Sequence, residues 1–397
     1  MKTITTPVNR PHFHYTFQQP LRQIAFFDIE TTGLSPKASS LYLIGAMFYD
    51  PGTEQWMLTQ WFADDYRSES LILEAFLTFL QNYRVLYHFN GATFDIPYLT
   101  VKCKKHHITP DAHCQALFEN IVHHNTTSAD TCLSIDLLKE IRPLKKRLSL
   151  PKANQTALEQ WLGIHREDPF NGGELIEVYA EYMQKKLLQP QHADALEKTL
   201  LLHNHDDISG MLDVCSILAY DDLFSQPDAF RIDASLFDKE ESCIIVRGTL
   251  LHPVPVALTL THLWDTISFW SDNVSATLCL EQDQFQLTIP CFCGTLKYFL
   301  ADYKNYYYLP QEDTAIHKSV AQFVDAAYRK KATAATCYIK KEGFFLPAFH
   351  PKDQPDDMKH FLFDHKQKPY FIEITPQDAS QLQTQLLHFL QQQILYF

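Results

Sequence analysis

The feature that most constrains the fold of this chain is an apolar run that carries two carboxylates. Residues 24–30 read IAFFDIE, a mixture of aromatic and β-branched residues that is typical of a buried β-strand. Because side chains alternate faces along a strand, Asp28 and Glu30 point to the same side. Buried carboxylates are costly unless positive charge meets them. The run therefore predicts an internal strand with an ionic site on one face.

The segments that follow predict an α/β domain. Their order is strand, strand, strand, helix, strand, helix, strand, and then helices to about residue 220. The late strands should be parallel to the first, in a mixed five-stranded sheet flanked by helices. The predicted strands are 24–30, 41–50, 56–62, 85–90 and 133–138, and the predicted helices include 70–83, one from Pro97, and 193–220.

The pattern of apolar residues changes near residue 225, which indicates a domain boundary there. Beyond it β-type runs such as CIIVRGTLLH and FQLTIP dominate, with helices expected at 312–331 and near 376–395. We therefore expect an amino-terminal extension at 1–22, the α/β domain at 23–224, and a second α+β, β-rich domain at 225–397 of unassigned role.

Composition restricts the class of partner. The net charge is −13, so any contact with nucleic acid must come from a local basic patch or from bound metal. The nine cysteines include no CxxC pair, which favours a reduced, cytoplasmic protein and makes them poor zinc ligands. The first twenty residues lack the apolar core of a signal peptide, and no run reaches the roughly 18–20 apolar residues of a membrane span.

Two further segments place carboxylates at positions suited to the same site. Asp95 lies in HFNGATFDIPYL, where a strand passes into a helix, and open α/β sheets bind ligands at such strand ends. Asp206 and Asp207 lie in the helical segment LLLHNHDDISGM, in which His203 and Asp207 share a face. Oxygen ligands that converge from distant segments select Mg²⁺ or Mn²⁺, and two such ions suit in-line attack on a phosphodiester.

Each of these segments also has a purely structural interpretation. Asp-x-Glu is common in strands, and Asp95 could simply stabilise the amino terminus of a helix. Asp206 and Asp207 could form a solvated helix face. The occurrence of all three segments in this order favours a catalytic site.

The segments FDIETTG, HFNGATFDIPYL and HNHDDI resemble the three exonuclease motifs of the DEDD superfamily, which has an RNase H-like fold. The stretch between the second and third, from SIDLLKE to PFNGG, is similar to the YprB-like family of RNase H-like exonucleases. The resemblance covers roughly residues 22–220. It implies a 3′–5′ exonuclease that acts on single-stranded DNA or RNA ends with two Mg²⁺ or Mn²⁺ ions. The metal ligands that it implies are Asp28, Glu30, Asp95 and Asp207.

A histidine takes the place of the expected general base. The superfamily usually has a tyrosine four residues before the last aspartate, or a histidine five before it, whereas here His203 stands four before Asp207. A neutral imidazole can orient or deprotonate the attacking water. Alternatively, His203 only hydrogen-bonds Asp207.

Substrate contacts are expected close to the motifs. We expect Thr31, Asn90 and Phe94, within the first two motifs, to contact the substrate. Two basic segments should contact phosphates without reading sequence, or else form solvated surface. Their residues are Lys102, Lys104, Lys105, Arg142, Lys145, Lys146, Arg147 and Lys152.

Two other functions stay open at this point. The chain could be a catalytically inactive RNase H-like nucleic-acid-binding or scaffold protein. The complete set of four carboxylates argues against a loss of catalytic activity. It could also be an RNase H-like endonuclease that cuts within a strand or hybrid.

Overall fold

The chain divides between Asp222 and Leu223 into two units. The structure is a computed structural model that describes every residue except 10, 128–130, 167–169, 171, 227, 239, 264–274, 349–358, 368, 377 and 394–397. Within this described part of the chain, no helix has the length and apolar composition needed to cross a membrane.

The first unit is built from a sheet and helices. Its strands are β1 (Lys2–Pro7), β2 (Ile24–Thr31), β3 (Leu41–Asp50), β4 (Gln55–Phe62), β5 (Val85–His88) and β6 (Leu133–Asp136). Its helices are α1 (Glu69–Leu80), α2 (Asp95–Lys105), α3 (Ala112–Glu119), α4 (Leu137–Ile141), α5 (Gln155–Trp161), α6 (Gly172–Lys185), α7 (Pro190–Cys215) and α8 (Leu218–Ser225), which continues past the division.

The strands of this sheet lie in the order β1-β4-β3-β2-β5-β6. The pairs from β1 to β2 are antiparallel, whereas β2, β5 and β6 run parallel to one another. The mixed sheet flanked by helices is thus confirmed, with six strands rather than the predicted five. The additional strand, β1, lies in the predicted extension. Its KTITTP sequence has no apolar run to mark a strand, yet it pairs along the edge of β4.

Strand β2 is an internal strand whose two faces are covered differently. On one face Phe27 packs against Phe76 of α1, with ring centroids 5.3 Å apart. The buried residues of α1 recur at spacings of three and four, which confirms the predicted amphipathic helix. The opposite face of β2 carries Asp28 and is approached by α7. The face with Asp28 is apolar only at its start, where Phe26 stacks on Tyr87 with ring centroids 5.0 Å apart, and the carboxylates follow toward the end of the strand.

The second unit is β-rich, as predicted. Its strands are β7 (Phe230–Asp238), β8 (Cys243–Leu250), β9 (Leu258–Leu263), β10 (Ser275–Glu281), β11 (Gln284–Pro290), β12 (Phe292–Phe299), β13 (Tyr306–Leu309), β14 (Thr314–His317), β15 (Lys330–Lys331), β16 (Tyr338–Ala348), β17 (His360–Phe361) and β18 (Tyr370–Ile374), and its helices are α9 (Lys318–Ala321) and α10 (Ala379–Gln393). The strands form sheets in the orders β7-β8-β11-β10-β9, β12-β16-β18-β17 and β14-β13-β15.

The helix predicted at 312–331 is wrong, whereas the carboxyl-terminal helix is confirmed by α10. Strand β14 pairs antiparallel with β13 instead. Asp313 turns the chain between them with φ of 51° and accepts a hydrogen bond from Tyr308 at 2.6 Å. This hairpin leaves only Lys318–Ala321 in α-helical conformation. Tertiary pairing has thus overridden an apolar spacing that resembles a helix.

Candidate active site

Strand β2 presents Asp28 and Glu30 on the sheet face opposite Phe27. The Glu30 side chain is buried, and that of Asp28 is partly buried. The pairing register between β2 and β3 shifts between Glu30 and Thr31. The Thr31 hydroxyl donates a hydrogen bond to the Gly33 carbonyl at 3.0 Å, so this side chain serves the turn after the strand.

The loop between β5 and α2 brings a third carboxylate to the same edge of the sheet. Asp95 is the first residue of α2 and is buried. The carboxylate of Asp136 holds the loop by accepting backbone hydrogen bonds from Asn90 at 3.0 Å and Ala92 at 3.3 Å. Asn90 itself adopts the left-handed conformation, with φ of 63°. Because β5 is parallel to β2, this loop leaves the sheet at the edge where β2 ends.

Helix α7 approaches the sheet closely through Asn204. Its amide donates a hydrogen bond to Asp28 Oδ2 at 3.1 Å and accepts one from Gln60 at 3.0 Å. A glycine permits this approach, because a Cβ at Gly45 would lie 2.1 Å from Asn204 Oδ1. Gly45 is also the residue of β3 that pairs with Asp28. A hydrogen bond therefore joins Asn204 of the third motif directly to Asp28 of the first motif.

These elements line a cavity of about 680 Å³. The structure brings all the predicted catalytic and metal-binding residues to it: Asp28, Glu30, Asp95, His203 and Asp207. Of the predicted substrate contacts, Asn90 and Phe94 also line the cavity, together with Phe89 and Phe170. Thr31 does not belong to the lining.

His203 lies between two of the carboxylates. Its Nε2 is 3.2 Å from Asp207 Oδ2 and 3.7 Å from Glu30 Oε1. One ligand atom from each of these three residues lies within 4.8 Å of the others. The imidazole is buried. The contact of Nε2 with Asp207 agrees with the predicted hydrogen bond, whereas the predicted role as proton acceptor requires the lone pair of this same nitrogen, with the imidazole proton on Nδ1.

Burial and repulsion perturb the carboxylates. Burial raises the pKa of Asp28 well above its usual range, and the neighbouring charge of Asp207 raises it further. Burial also raises the pKa of Asp95 to about 7. For Asp207 the effect of burial is outweighed by the hydrogen bond from His203 and the charge of Arg166, which hold its pKa below the usual range. Negative charge is thus least compensated around Asp28 and Asp95.

Arg166 is a residue of this site that sequence reasoning missed. Its Nη1 donates a hydrogen bond to Asp207 Oδ1, and its Nη2 donates to Glu159 Oε1 at 2.9 Å. Glu159, which is buried on α5, also accepts from Gln155 at 2.9 Å. Arg166 stands in an irregular loop, where no periodicity indicates the direction of a side chain. The only signal is the Glu-x-x-Leu-Gly pattern that starts at Glu159.

The predicted phosphate contacts lie outside the cavity lining. Lys102 cannot contact a substrate, because its ammonium is buried and pairs with Glu69 Oε1 of α1 at 2.8 Å. The α2 face that carries Lys102 is packed against α1, whereas Lys104 and Lys105 are exposed. After β6, the side chains of Arg142, Lys145 and Lys146 are exposed and that of Arg147 is partly buried.

Comparison with solved structures gives similarities at low identity. The family B DNA polymerase from the hyperthermophilic archaeon Pyrobaculum calidifontis is 14% identical over 74% of this chain and 36% of the polymerase chain, with a TM-score of 0.36. The zinc-bound E. coli ExoI–ssDNA complex is 17% identical over 45% of this chain and 44% of that one, with a TM-score of 0.26. E. coli exonuclease I in complex with a dT13 oligonucleotide is 18% identical over 43% of this chain and 42% of that one, with a TM-score of 0.25.

This chain thus spans less than half of the length of each of these proteins. No curated protein matches it. A family profile of the RNase H superfamily matches residues 25–219, which include every strand of the first unit from β3 to β6 and nearly all of β2. Together with the mixed sheet and its flanking helices, this match shows that the first unit has an RNase H-like fold.

Proposed function

We propose that this protein is a metal-dependent nuclease, a 3′–5′ exonuclease that acts on single-stranded DNA or RNA ends. The observation that carries the proposal is the convergence of carboxylates from β2, the start of α2, and α7 on one cavity. The cavity lies at the edge of the sheet where the parallel strands end. The match of residues 25–219 to the RNase H superfamily supports this reaction class.

The donor set fits divalent cations that prefer oxygen ligands. The described lining residues supply carboxylates and the imidazoles of His165 and His203 but no cysteine, and this mainly oxygen-donor set favours Mg²⁺ or Mn²⁺. Asp28, Glu30 and Asp207 would hold one ion. A second ion would be shared by Asp28 and Asp95. When bound, such ions activate water and stabilise the leaving oxygen of a phosphodiester.

The electrostatics of the cavity support this assignment. Burial and mutual repulsion raise the pKa of both Asp28 and Asp95, so the fold concentrates negative charge that it does not itself offset. Asn204 donates to Oδ2 of Asp28, which leaves Oδ1 of that carboxylate for a cation. The carboxylate of Asp28 is therefore oriented before a cation arrives.

His203 is the proposed proton acceptor. Its Nε2 faces the cavity between Asp207 and Glu30, at 3.2 Å and 3.7 Å from their oxygens. In this role the neutral imidazole would carry its proton on Nδ1, so that the lone pair of Nε2 could accept a proton from a water held near these carboxylates. Once protonated, Nε2 would donate a hydrogen bond to Asp207. The imidazole is held in place by its i,i+4 partner, Asp207.

Aromatic rings offer a surface for a nucleobase. Phe89, Phe94 and Phe170 line the same cavity as the carboxylates. Stacking on such rings tolerates any sequence, because every base has a π-face. The exposed cations Arg142 and Lys145 are candidates for phosphate contacts farther along the strand.

The proposal is tested with Mn²⁺ and two single-stranded substrates, one linear with a 5′ label and one circular. We expect the labelled strand to shorten progressively from its 3′ end and the circle to persist. Cutting of the circle would replace the exonuclease with an RNase H-like endonuclease. Binding of both substrates without metal-dependent cleavage of either would instead support an inactive nucleic-acid-binding or scaffold protein.

A further inference from the structure

A second cluster of histidine and carboxylate side chains lies outside the cavity that holds Asp28 and Asp207. His124 is fully buried, with Nδ1 2.5 Å from Glu140 Oε2 and Nε2 3.2 Å from Asp222 Oδ1. Asp221 Oδ2 lies 3.9 Å from the same Nε2. The neighbouring His123 places its Nδ1 2.9 Å from Glu140 Oε2. The loop between α3 and β6 thus meets both α4 and α8 through polar groups.

Carboxylates are the most numerous charged groups of the cluster. Three carboxylates, those of Glu140, Asp221 and Asp222, surround His124. Arg147 contributes one permanent positive charge near Asp221, and the other basic side chains of the cluster are the imidazoles of His123 and His124. Because both imidazoles must be neutral to bind a metal, a divalent cation and Arg147 would together balance the three carboxylates. Buried charge is tolerated where it is paired or coordinates a metal.

The spacing of the donor atoms suits a transition metal. One ligand atom from each of His123, His124 and Asp221 lies within 4.8 Å of the others. In a tetrahedral site with bonds of about 2.0–2.2 Å, neighbouring ligand atoms lie about 3.4 Å apart. The separations of His124 Nε2 from the two aspartates, 3.2 Å and 3.9 Å, lie on either side of that value.

The surrounding groups orient these ligands as they do in metal sites. Glu140 accepts a hydrogen bond at Nδ1 of His124, which directs Nε2 toward the aspartates. Tyr15 donates to Oδ2 of Asp222 at 3.1 Å, which leaves Oδ1 directed at His124. The side chains of His123 and Asp221 are 57% and 20% exposed, so a cation has a route from solvent.

We propose that His123, His124, Asp221 and Asp222 form a binding site for one Zn²⁺-class transition-metal ion, separate from the nuclease cavity. Mixed imidazole and carboxylate donors favour zinc-class ions over Mg²⁺. The ion would tie the loop between α3 and β6 to α8. Because the ligands come from segments about a hundred residues apart, its free energy of binding would stabilise the fold of the first unit.

The test is a titration with Co²⁺ alone, using the full chain with Asp28→Asn and Glu30→Gln to silence the nuclease cavity. We expect a visible d–d absorption band that saturates at one equivalent, and a higher melting temperature with one equivalent of Zn²⁺. In this background His123→Ala and Asp221→Asn should each weaken Co²⁺ binding at least ten-fold. Glu140→Gln should weaken it by about 10–100-fold, as loss of a partner of a metal-bound histidine does.

A matched control is His192→Ala, which removes an exposed imidazole that pairs with Glu181 on a different part of the unit. It should leave the Co²⁺ midpoint unchanged. His123 and Asp221 are partly exposed, so circular dichroism should show that their variants remain folded. The absence of a saturable band, or an equal midpoint in the His123→Ala, Asp221→Asn and control proteins, would overturn the proposal.

Discussion

Arg166 donates a hydrogen bond from Nη1 to Oδ1 of Asp207, one of the carboxylates that converge on the cavity. The same guanidinium holds Glu159 through Nη2 at 2.9 Å. It therefore offsets the charge of Asp207 at the point where the proposed function places a cation. A bound cation and Arg166 would therefore compete for the carboxylate of Asp207.

Removal of Arg166 should strengthen cation binding. We compare Arg166→Gln combined with Glu159→Gln against Glu159→Gln alone, so that no buried carboxylate loses its partner in the comparison. A hydrogen bond to a charged group contributes about 1.5–3 kcal/mol, so Mn²⁺ affinity should rise by roughly ten-fold or more. Isothermal titration calorimetry measures the change. An unchanged affinity would show that Arg166 does not compete with the cation, and a weaker affinity would show that it assists cation binding.

Gly45→Ala should separate the third motif from the first. The new methyl group would lie 2.1 Å from Asn204 Oδ1 and 2.3 Å from Ile208 Cδ1, so these two side chains, or α7 with them, must move away from β3. Overpacking of this kind costs about 1–3 kcal/mol of the free energy of unfolding. Nuclease activity should fall together with stability, as measured by urea unfolding and by strand degradation. Gly52→Ala is the control, because its Cβ would meet Asp50 Oδ1 at an ordinary 3.4 Å.

His203→Ala should separate proton transfer from cation binding. If His203 accepts the proton of the attacking water, kcat should fall by about 10²–10⁴-fold, while Mn²⁺ affinity stays within a few-fold. Nuclease rates and Mn²⁺ titrations on the same preparation give both quantities. Unchanged kcat would support the alternative role, in which the imidazole only hydrogen-bonds Asp207. A parallel loss of affinity and rate would make His203 a ligand.

Asp95→Asn should stabilise the cation-free protein at high pH. The pKa of Asp95 is raised to about 7 by burial, above its unfolded value, so its contribution favours folding below about pH 4 and is lost as pH rises through 7. The asparagine side chain of the variant does not ionise, so the variant does not lose this stability as the pH rises. With a chelator present, the variant should gain stability over the wild type at pH 8 and not at pH 4. At 1.36 kcal/mol per pKa unit, the gain is at most about 4 kcal/mol.

Thermal unfolding at both pH values, with EDTA throughout, measures this difference. A gain of equal size at pH 4 and pH 8 would contradict the ionisation argument. A stabilised but inactive variant would show that the fold gives up stability to keep this carboxylate in the cavity.

The sequence predicts those parts of the site that follow from periodicity. Alternation along β2 places Asp28 and Glu30 on one face, and parallel pairing brings the loop with Asp95 to the same edge. The i,i+4 spacing on α7 predicts the contact of His203 with Asp207. These relations depend only on local geometry and strand direction, so they are readable without a structure.

The remainder depends on long-range packing. Arg166 reaches Asp207 from a loop without periodicity, and Lys102 is buried because α1 supplies Glu69 on the face that α2 turns inward. Strand β1 carries no apolar run of its own and exists because β4 offers a free edge. The hairpin of β13 and β14 forms where a helix was predicted for the same reason. The spacing of apolar residues within a segment does not show which strand it will pair with.

The most direct test compares Asp28→Asn with Asp206→Asn in Mn²⁺-dependent hydrolysis of a single strand. Asp206 precedes Asp207 on α7 but does not line the nuclease cavity, so it is a matched control for the loss of one carboxylate. Stabilisation by bound cations contributes several kcal/mol to such reactions. We predict a loss of about a thousand-fold or more for Asp28→Asn and a rate within about two-fold of wild type for Asp206→Asn. Equal rates in the two variants would contradict a nuclease centred on Asp28.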